Sequence, residues 1–181
     1  MDCSVLIGQQ LEAMRELAQP LSACDAATVD LTSWRELRDR AAAHVQVRDQ
    51  LVLPALQRRG WQGLHSEALR AHIEFKLALA ALCICPPGRA DFQRALIDFA
   101  HALEQQRLAD ALWIVPALRR SSTAEERRLL CSEIERLHEA MVPPPAHYLA
   151  ATSLTSSPGA ALVEDAALVL RSLGEAADPP P

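Results

Sequence analysis

Apolar residues recur every three or four positions along most of the chain, and no stretch alternates with period two over a useful length. That spacing keeps one side of a helix apolar, so helices are expected and strands are not. The first helix is predicted over residues 5–21, with Ile7, Leu11, Met14, Leu17 and Leu21 on one stripe and Pro20 ending or bending it. The second is predicted over 33–59. Ser33 and Glu36 have the spacing of a capping box, Gly60 suits the C-terminal turn, and Pro54 should kink or break the helix. The third is expected over 66–85, stopped by Pro86-Pro87-Gly88, and the fourth over 90–119 with Pro116 inside it. Thr123 and Glu126 form another capping box and open a fifth helix that ends near Met141. Pro143, Pro144 and Pro145 then interrupt the pattern. Residues 1–142 therefore read as a helical domain and 143–181 as a proline-rich, flexible tail with one weak amphipathic helix over 160–173.

Composition agrees with this pattern. Ala, Leu, Arg and Glu are abundant, and all are good helix formers. With 181 residues and 50% hydrophobic content, the chain can bury one sizeable core and is not disordered over most of its length. The 23 acids outnumber the 18 bases, for a net charge of −5, and there is no basic stripe, so nucleic acid is not expected as a partner. No apolar run approaches the ~20 residues that span a bilayer, so no membrane partner is expected. The first residues lack the basic-then-apolar pattern of a secretory signal. Cys3, Cys24, Cys83, Cys85 and Cys131 are odd in number and form no C-x-x-C pair, which suits a reducing compartment and cysteines that act as small core hydrophobes. A cytoplasmic location is expected on these grounds.

Two segments repeat: QLVLPAL at 50–56 and LWIVPAL at 112–118 end the second and fourth helices in the same way. The repeat implies two helical hairpins, and the predicted fold is all-α: an up-down-up-down four-helix bundle with an extra C-terminal helix and a tail.

The apolar seams of this bundle carry polar residues. On the second helix the seam reads Trp34, Leu37, Ala41, His44, Arg48, Leu51, Ala55, which points His44 and Arg48 inward. The third reads Leu69, His72, Lys76, Leu79, Cys83, with His72 and Lys76 inward. The fourth reads Phe92, Leu96, Phe99, Leu103, Gln106, Asp110, Trp113, with Gln106 and Asp110 inward. Each helix thus presents an i, i+4 polar pair on its core face.

With these residues in place, the chain resembles the hemerythrin-like, HHE cation-binding four-helix bundles over about residues 5–130. In that family the second and fourth helices carry H-x-x-x-E six residues ahead of a proline, and the third carries H-x-x-x-H. Here the second helix reads HVQVRDQLVLP from His44 to Pro54, the third HIEFK from His72, and the fourth QRLADALWIVP from Gln106 to Pro116. The resemblance implies a centre in which histidines and carboxylates hold two irons. At the corresponding positions this chain keeps His44, His72 and Asp110, but has Arg48 for an acid, Lys76 and Gln106 for histidines, and Met14 in the first-helix seam. Arg cannot be deprotonated, a second cation repels a divalent metal in a low-dielectric core, and Met is a poor ligand for hard iron. The expectation is a core polar cluster of His44, Arg48, His72, Lys76, Gln106 and Asp110 without a metal, in a protein that acts as a regulatory or interaction module with a protein partner. Snorkelling of Arg48 and Lys76 out of the bundle stays open. The alternative is a reduced site holding iron or zinc through His44, His72 and Asp110, for iron or oxygen sensing or storage.

The other histidines are assigned less: His65 to the bundle mouth, His101 with Glu104 to a solvated or half-buried pair, His138 and His147 to the surface. No nucleophile elbow, P-loop or dinucleotide turn is present, and no nucleophile–base arrangement is found, so the chain is not expected to be an enzyme.

Overall fold

Five helices carry the described residues. A computed structural model describes residues 2–24, 28–61 and 66–143. The tail after residue 143, its helix expected at 160–173, His65 and His147 lie outside the described residues. α1 is Cys3–Ala23, capped by the Asp2 carboxylate on the backbone of Ser4. Pro20 does not end it at once; the helix runs on for three residues. α2 covers 31–58 in three parts: an α-helical Leu31–Val47, a π-helical turn Arg48–Val52 and an α-helical Leu53–Arg58. α3 is Ser66–Ile84. α4 covers 92–121 with the same three parts: Phe92–Ala109, a π-turn Asp110–Ile114 and Val115–Ser121. α5 is Ala124–Met141. Among the described residues there is no strand. No helix among them is long and apolar enough to cross a membrane.

Local chemistry sets most ends. The Thr123–Glu126 capping box is complete, with both reciprocal bonds present. Gly60 takes a positive φ of 79° after α2, where a side chain would be strained. The start of α2 differs from the expectation. Asp30 is the cap, its carboxylate accepting from the backbone of Thr32 and Ser33, and Glu36 turns to Arg40 instead. The Asp side chain, three residues ahead, reaches those free donors first and also accepts from the Ser33 hydroxyl, at 2.6 Å.

Neither Pro54 nor Pro116 breaks its helix. A proline lacks the N–H that would serve the carbonyl four residues back. Just ahead of each ring the bonding slips by one residue, so Leu53 N–H donates to Arg48 O and Val115 N–H to Asp110 O. The slip changes which residues face in. Val52 and Ile114 are buried, where the seam pattern pointed to Leu51 and Trp113, which are half-buried.

α1 packs against α2 and α4, and α3 packs against α2 and α4, so these four helices close a ring. α5 lies across α1 and α2. Ile7, Leu11, Met14 and Leu21 of α1 are buried as the stripe predicts, and Ala18 replaces the half-buried Leu17. Of the cysteines, Cys3 and Cys131 are buried and Cys83 and Cys85 half-buried, while Cys24 is exposed and so is not the core residue expected. All five are free thiols. Burial pushes the Cys3 thiol up to about 11 and that of Cys83 to about 12, out of the reactive range.

Candidate functional site

The centre of the helical ring is polar. His44, Arg48, His72, Gln106 and Asp110 are all buried, with Arg48 only 1% exposed. Arg48 Nη1 donates to Asp110 Oδ1 across α2 and α4, and Gln106 Nε2 donates to the same oxygen at 2.8 Å. The pair has a symmetric origin. Arg48 and Asp110 each open a π-turn and stand six residues ahead of the proline of their repeat. His44 and Gln106 are likewise equivalent, ten residues ahead. Equivalent positions of the two repeats thus meet in the core. Like charges there would repel, and this chain places one cation and one anion.

Burial raises the Asp110 carboxyl above its usual range, opposed by the adjacent Arg48 and by Gln106. A guanidinium in direct contact keeps this group ionised at neutral pH, because an unpaired buried Arg48 would be far less stable. His44 is 0% exposed and meets the Phe75 ring edge-on, with centroids 5.8 Å apart at 81°. Its two ring nitrogens have no hydrogen-bond partner among the described residues. Burial, then the charge of Arg48, pushes its pKa well below the ordinary value, so this imidazole is neutral.

A second group lies at the rim. His72 Nε2 lies 2.8 Å from Asp49 Oδ1, and Lys76 Nζ donates to Asp49 Oδ2 at 2.6 Å. Burial alone would raise the Asp49 carboxyl, but its bonds to His72 and Lys76 outweigh this and hold it at about 2. Lys76 corrects the sequence expectation. Its side chain is 41% exposed, and Phe75 takes the inward position on α3. One residue on a helix is about 100° of rotation, enough to carry Lys76 from the core to its edge. Asp49 escapes sequence reasoning because it falls one residue off the seam. A cation and a histidine one turn apart on the facing helix are the only hint of it.

Other assignments change as well. Arg38 and Asp39 are both buried and joined through Arg38 Nε and Nη2, at 3.0 and 2.9 Å, with Arg38 over the Trp34 ring. The seam pattern passes over this pair because the two residues are adjacent in sequence. His101 is exposed, and Glu104 binds Arg107 rather than His101. His138 is half-buried against α1 and α2, not at the open surface.

The polar core sets a permanent cation beside its ligand-type side chains. Asp110 Oδ1 is taken by Arg48 and Gln106, and His72 Nε2 is taken by Asp49. An ion between His44, His72 and Asp110 would stand against a guanidinium that cannot lose its proton. Among the described residues no three His, Cys, Asp or Glu side chains gather into a ligand set.

The histidines give a pH dependence with a definite sign. Burial lowers the pKa of both His44 and His72, although Asp49 partly offsets this at His72. The folded chain then binds these protons less tightly than the unfolded chain, so protonation favours unfolding. Stability to chemical denaturation should be full above the ordinary histidine value of about 6.5 and fall as pH drops below it. A further fall, from the lowered Asp2 and Asp49, is expected between about 4 and 2. Stability that holds level from pH 7 to 5 would show that both imidazoles take up protons without penalty.

No family model, curated protein or solved structure matches this chain.

Proposed function

We propose that the chain is a hemerythrin-like, up-down-up-down four-helix bundle with one added helix, in which an arginine–aspartate pair stands where the family holds metals. In this reading it serves as a regulatory or interaction module and not as an enzyme. The Arg48–Asp110 pair carries the proposal. It joins equivalent positions of the repeat, at the centre of the ring, with both side chains withdrawn from water. A buried charge pair of this kind gives each group an opposite charge, and it sets a guanidinium against the Asp110 carboxylate. The ring of contacts among α1 to α4 supports the bundle. Leu69, which the seam pattern pointed inward, is exposed together with Ile73 and Leu77 at i, i+4, i+8 on α3, and this apolar row supports the interaction role. Fold alone assigns no function; the Arg48–Asp110 pair is the feature that supports this one.

Elemental analysis tests the proposal. Protein expressed in iron-rich medium and purified without chelator should carry well under one metal per chain. Two irons per chain with an oxo-bridge absorption band would overturn it. One tightly held iron or zinc per chain would favour the alternative, in which His72 leaves Asp49 and Asp110 leaves Arg48 to become ligands.

A further inference from the structure

The repeat continues past its prolines. Two arginines close each copy, Arg58-Arg59 at the end of α2 and Arg119-Arg120 at the end of α4. The two helix ends meet at one end of the bundle, where α5 also begins and adds Arg127 and Arg128. Contacts between elements fix the arrangement. Arg59 Nη2 pairs with Glu126 Oε1 at 3.0 Å, and Arg120 lies over the Trp61 ring, 5.3 Å from its centroid. Arg119 Nη2 donates to Ser4 Oγ at 3.2 Å, and Arg127 Nε pairs with Asp2 Oδ2 at 2.8 Å. Six of the 18 basic residues of the chain thus share one end of the bundle.

Helix capping accounts for part of this set. The last carbonyls of a helix attract cations, and Arg58 Nε donates to Pro54 O and Arg59 Nη1 to Ala55 O, at 3.3 and 3.0 Å. It does not account for the rest. Arg119 and Arg120 turn to Ser4 and Trp61 and not to helix carbonyls. Arg127 and Arg128 stand near a helix start, where the dipole disfavours a cation. Arg58, Arg119, Arg120 and Arg128 are exposed and have no carboxylate partner among the described residues. The acids of this end are Asp2 and Glu126, both engaged, and Glu67 and Glu125 at the starts of α3 and α5. Cations are left in surplus here, on a chain whose net charge is −5.

We propose that this end of the bundle docks a short acidic segment of a partner protein, its carboxylates received by Arg58, Arg119, Arg120 and Arg128. A planar guanidinium fork meets a carboxylate through two parallel bonds, and the stack on Trp61 and the bond to Ser4 hold two of the forks in place beforehand. Two helices side by side measure ~20 Å across, and about six extended residues cover that distance. A nucleic acid fits less well. Trp61 already carries Arg120 on its ring, and the acidic remainder of the chain repels a long polyanion. The inference rests on the interaction role proposed above and not on the Arg48–Asp110 pair. Metal content is measured separately, so failure of the docking is told apart from failure of the metal-free reading.

The test uses the full chain and a fluorescein-labelled hexaglutamate peptide with blocked ends, followed by fluorescence anisotropy at low salt and again at higher salt. Saturable binding that weakens as salt rises is expected, with none for hexaglutamine carrying the same label. NMR shifts should fall on the Nε–H groups of Arg58, Arg119, Arg120 and Arg128. Arg58→Gln/Arg120→Gln changes two exposed side chains, should keep the helical circular dichroism, and should weaken binding about fivefold or more. Arg89→Gln/Arg94→Gln removes the same charge from exposed positions at the opposite end and should leave the affinity within about twofold. Absence of saturable binding, equal binding of hexaglutamine, or equal losses in the two double variants would overturn the proposal. Tighter binding of a labelled single-stranded oligonucleotide than of hexaglutamate, lost in Arg58→Gln/Arg120→Gln, would also overturn it, in favour of nucleic acid.

Discussion

Asp110→Ala should destabilise the protein by about 3–5 kcal/mol, because it leaves Arg48 buried without an anion. Arg48 is 1% exposed, so its guanidinium has no water to turn to. Gln106 would lose its acceptor at the same time. Replacing the pair by apolar residues removes both buried charges at once, and such replacements are often neutral. The double variant Asp110→Leu/Arg48→Met should therefore recover much of the loss in a double-mutant cycle followed by chemical denaturation. The repeat adds a sharper version. Because the two residues occupy equivalent positions of the repeat, exchanging them as Arg48→Asp/Asp110→Arg restores one cation and one anion at their contact. Each single change should unfold or strongly destabilise the chain, and the exchange should regain a substantial part of the loss. Additive single effects would mean that the two side chains do not depend on one another, and the proposed replacement of a metal centre would lose its main support.

Phe75→Ala is the other large effect, with an expected loss of about 3–5 kcal/mol, since it opens a cavity where the ring had filled the core. Phe75 is 0% exposed and touches both His44, edge-on, and Phe99, with centroids 5.3 Å apart. Such ring contacts add about 0.5–1.5 kcal/mol beyond area burial. The variant should also relax the His44 environment. With more room for water near the imidazole, its pKa should move back toward the ordinary value, which NMR titration of the ring protons can follow. Phe75→Leu should retain most of the stability, because it keeps the apolar volume. A loss under about 1 kcal/mol for the Ala variant would show that the core collapses around the missing ring. An unmoved His44 titration would show that Phe75 is not what keeps it dry.

Helix content and most helix ends were legible from sequence because they depend on local chemistry. The three-four spacing, the Thr123–Glu126 box and Gly60 each act within a turn or two of chain. The burial of His44, Arg48, Gln106 and Asp110 was legible too, since one helix face is fixed by periodicity and the repeat placed the two faces in the same register. Tertiary structure decided whatever turns on one residue of rotation or on a distant segment. The slip ahead of Pro54 and Pro116 exchanged Leu51 for Val52 and Trp113 for Ile114, because a π-turn alters the period that the pattern assumes. Phe75 claimed the inward place on α3 and left Lys76 at the rim with Asp49, a partner 27 residues away that no local spacing reveals. The ion pair itself spans 62 residues, and only the closing of α2 onto α4 makes two separately unfavourable buried charges into one mutually compensated pair.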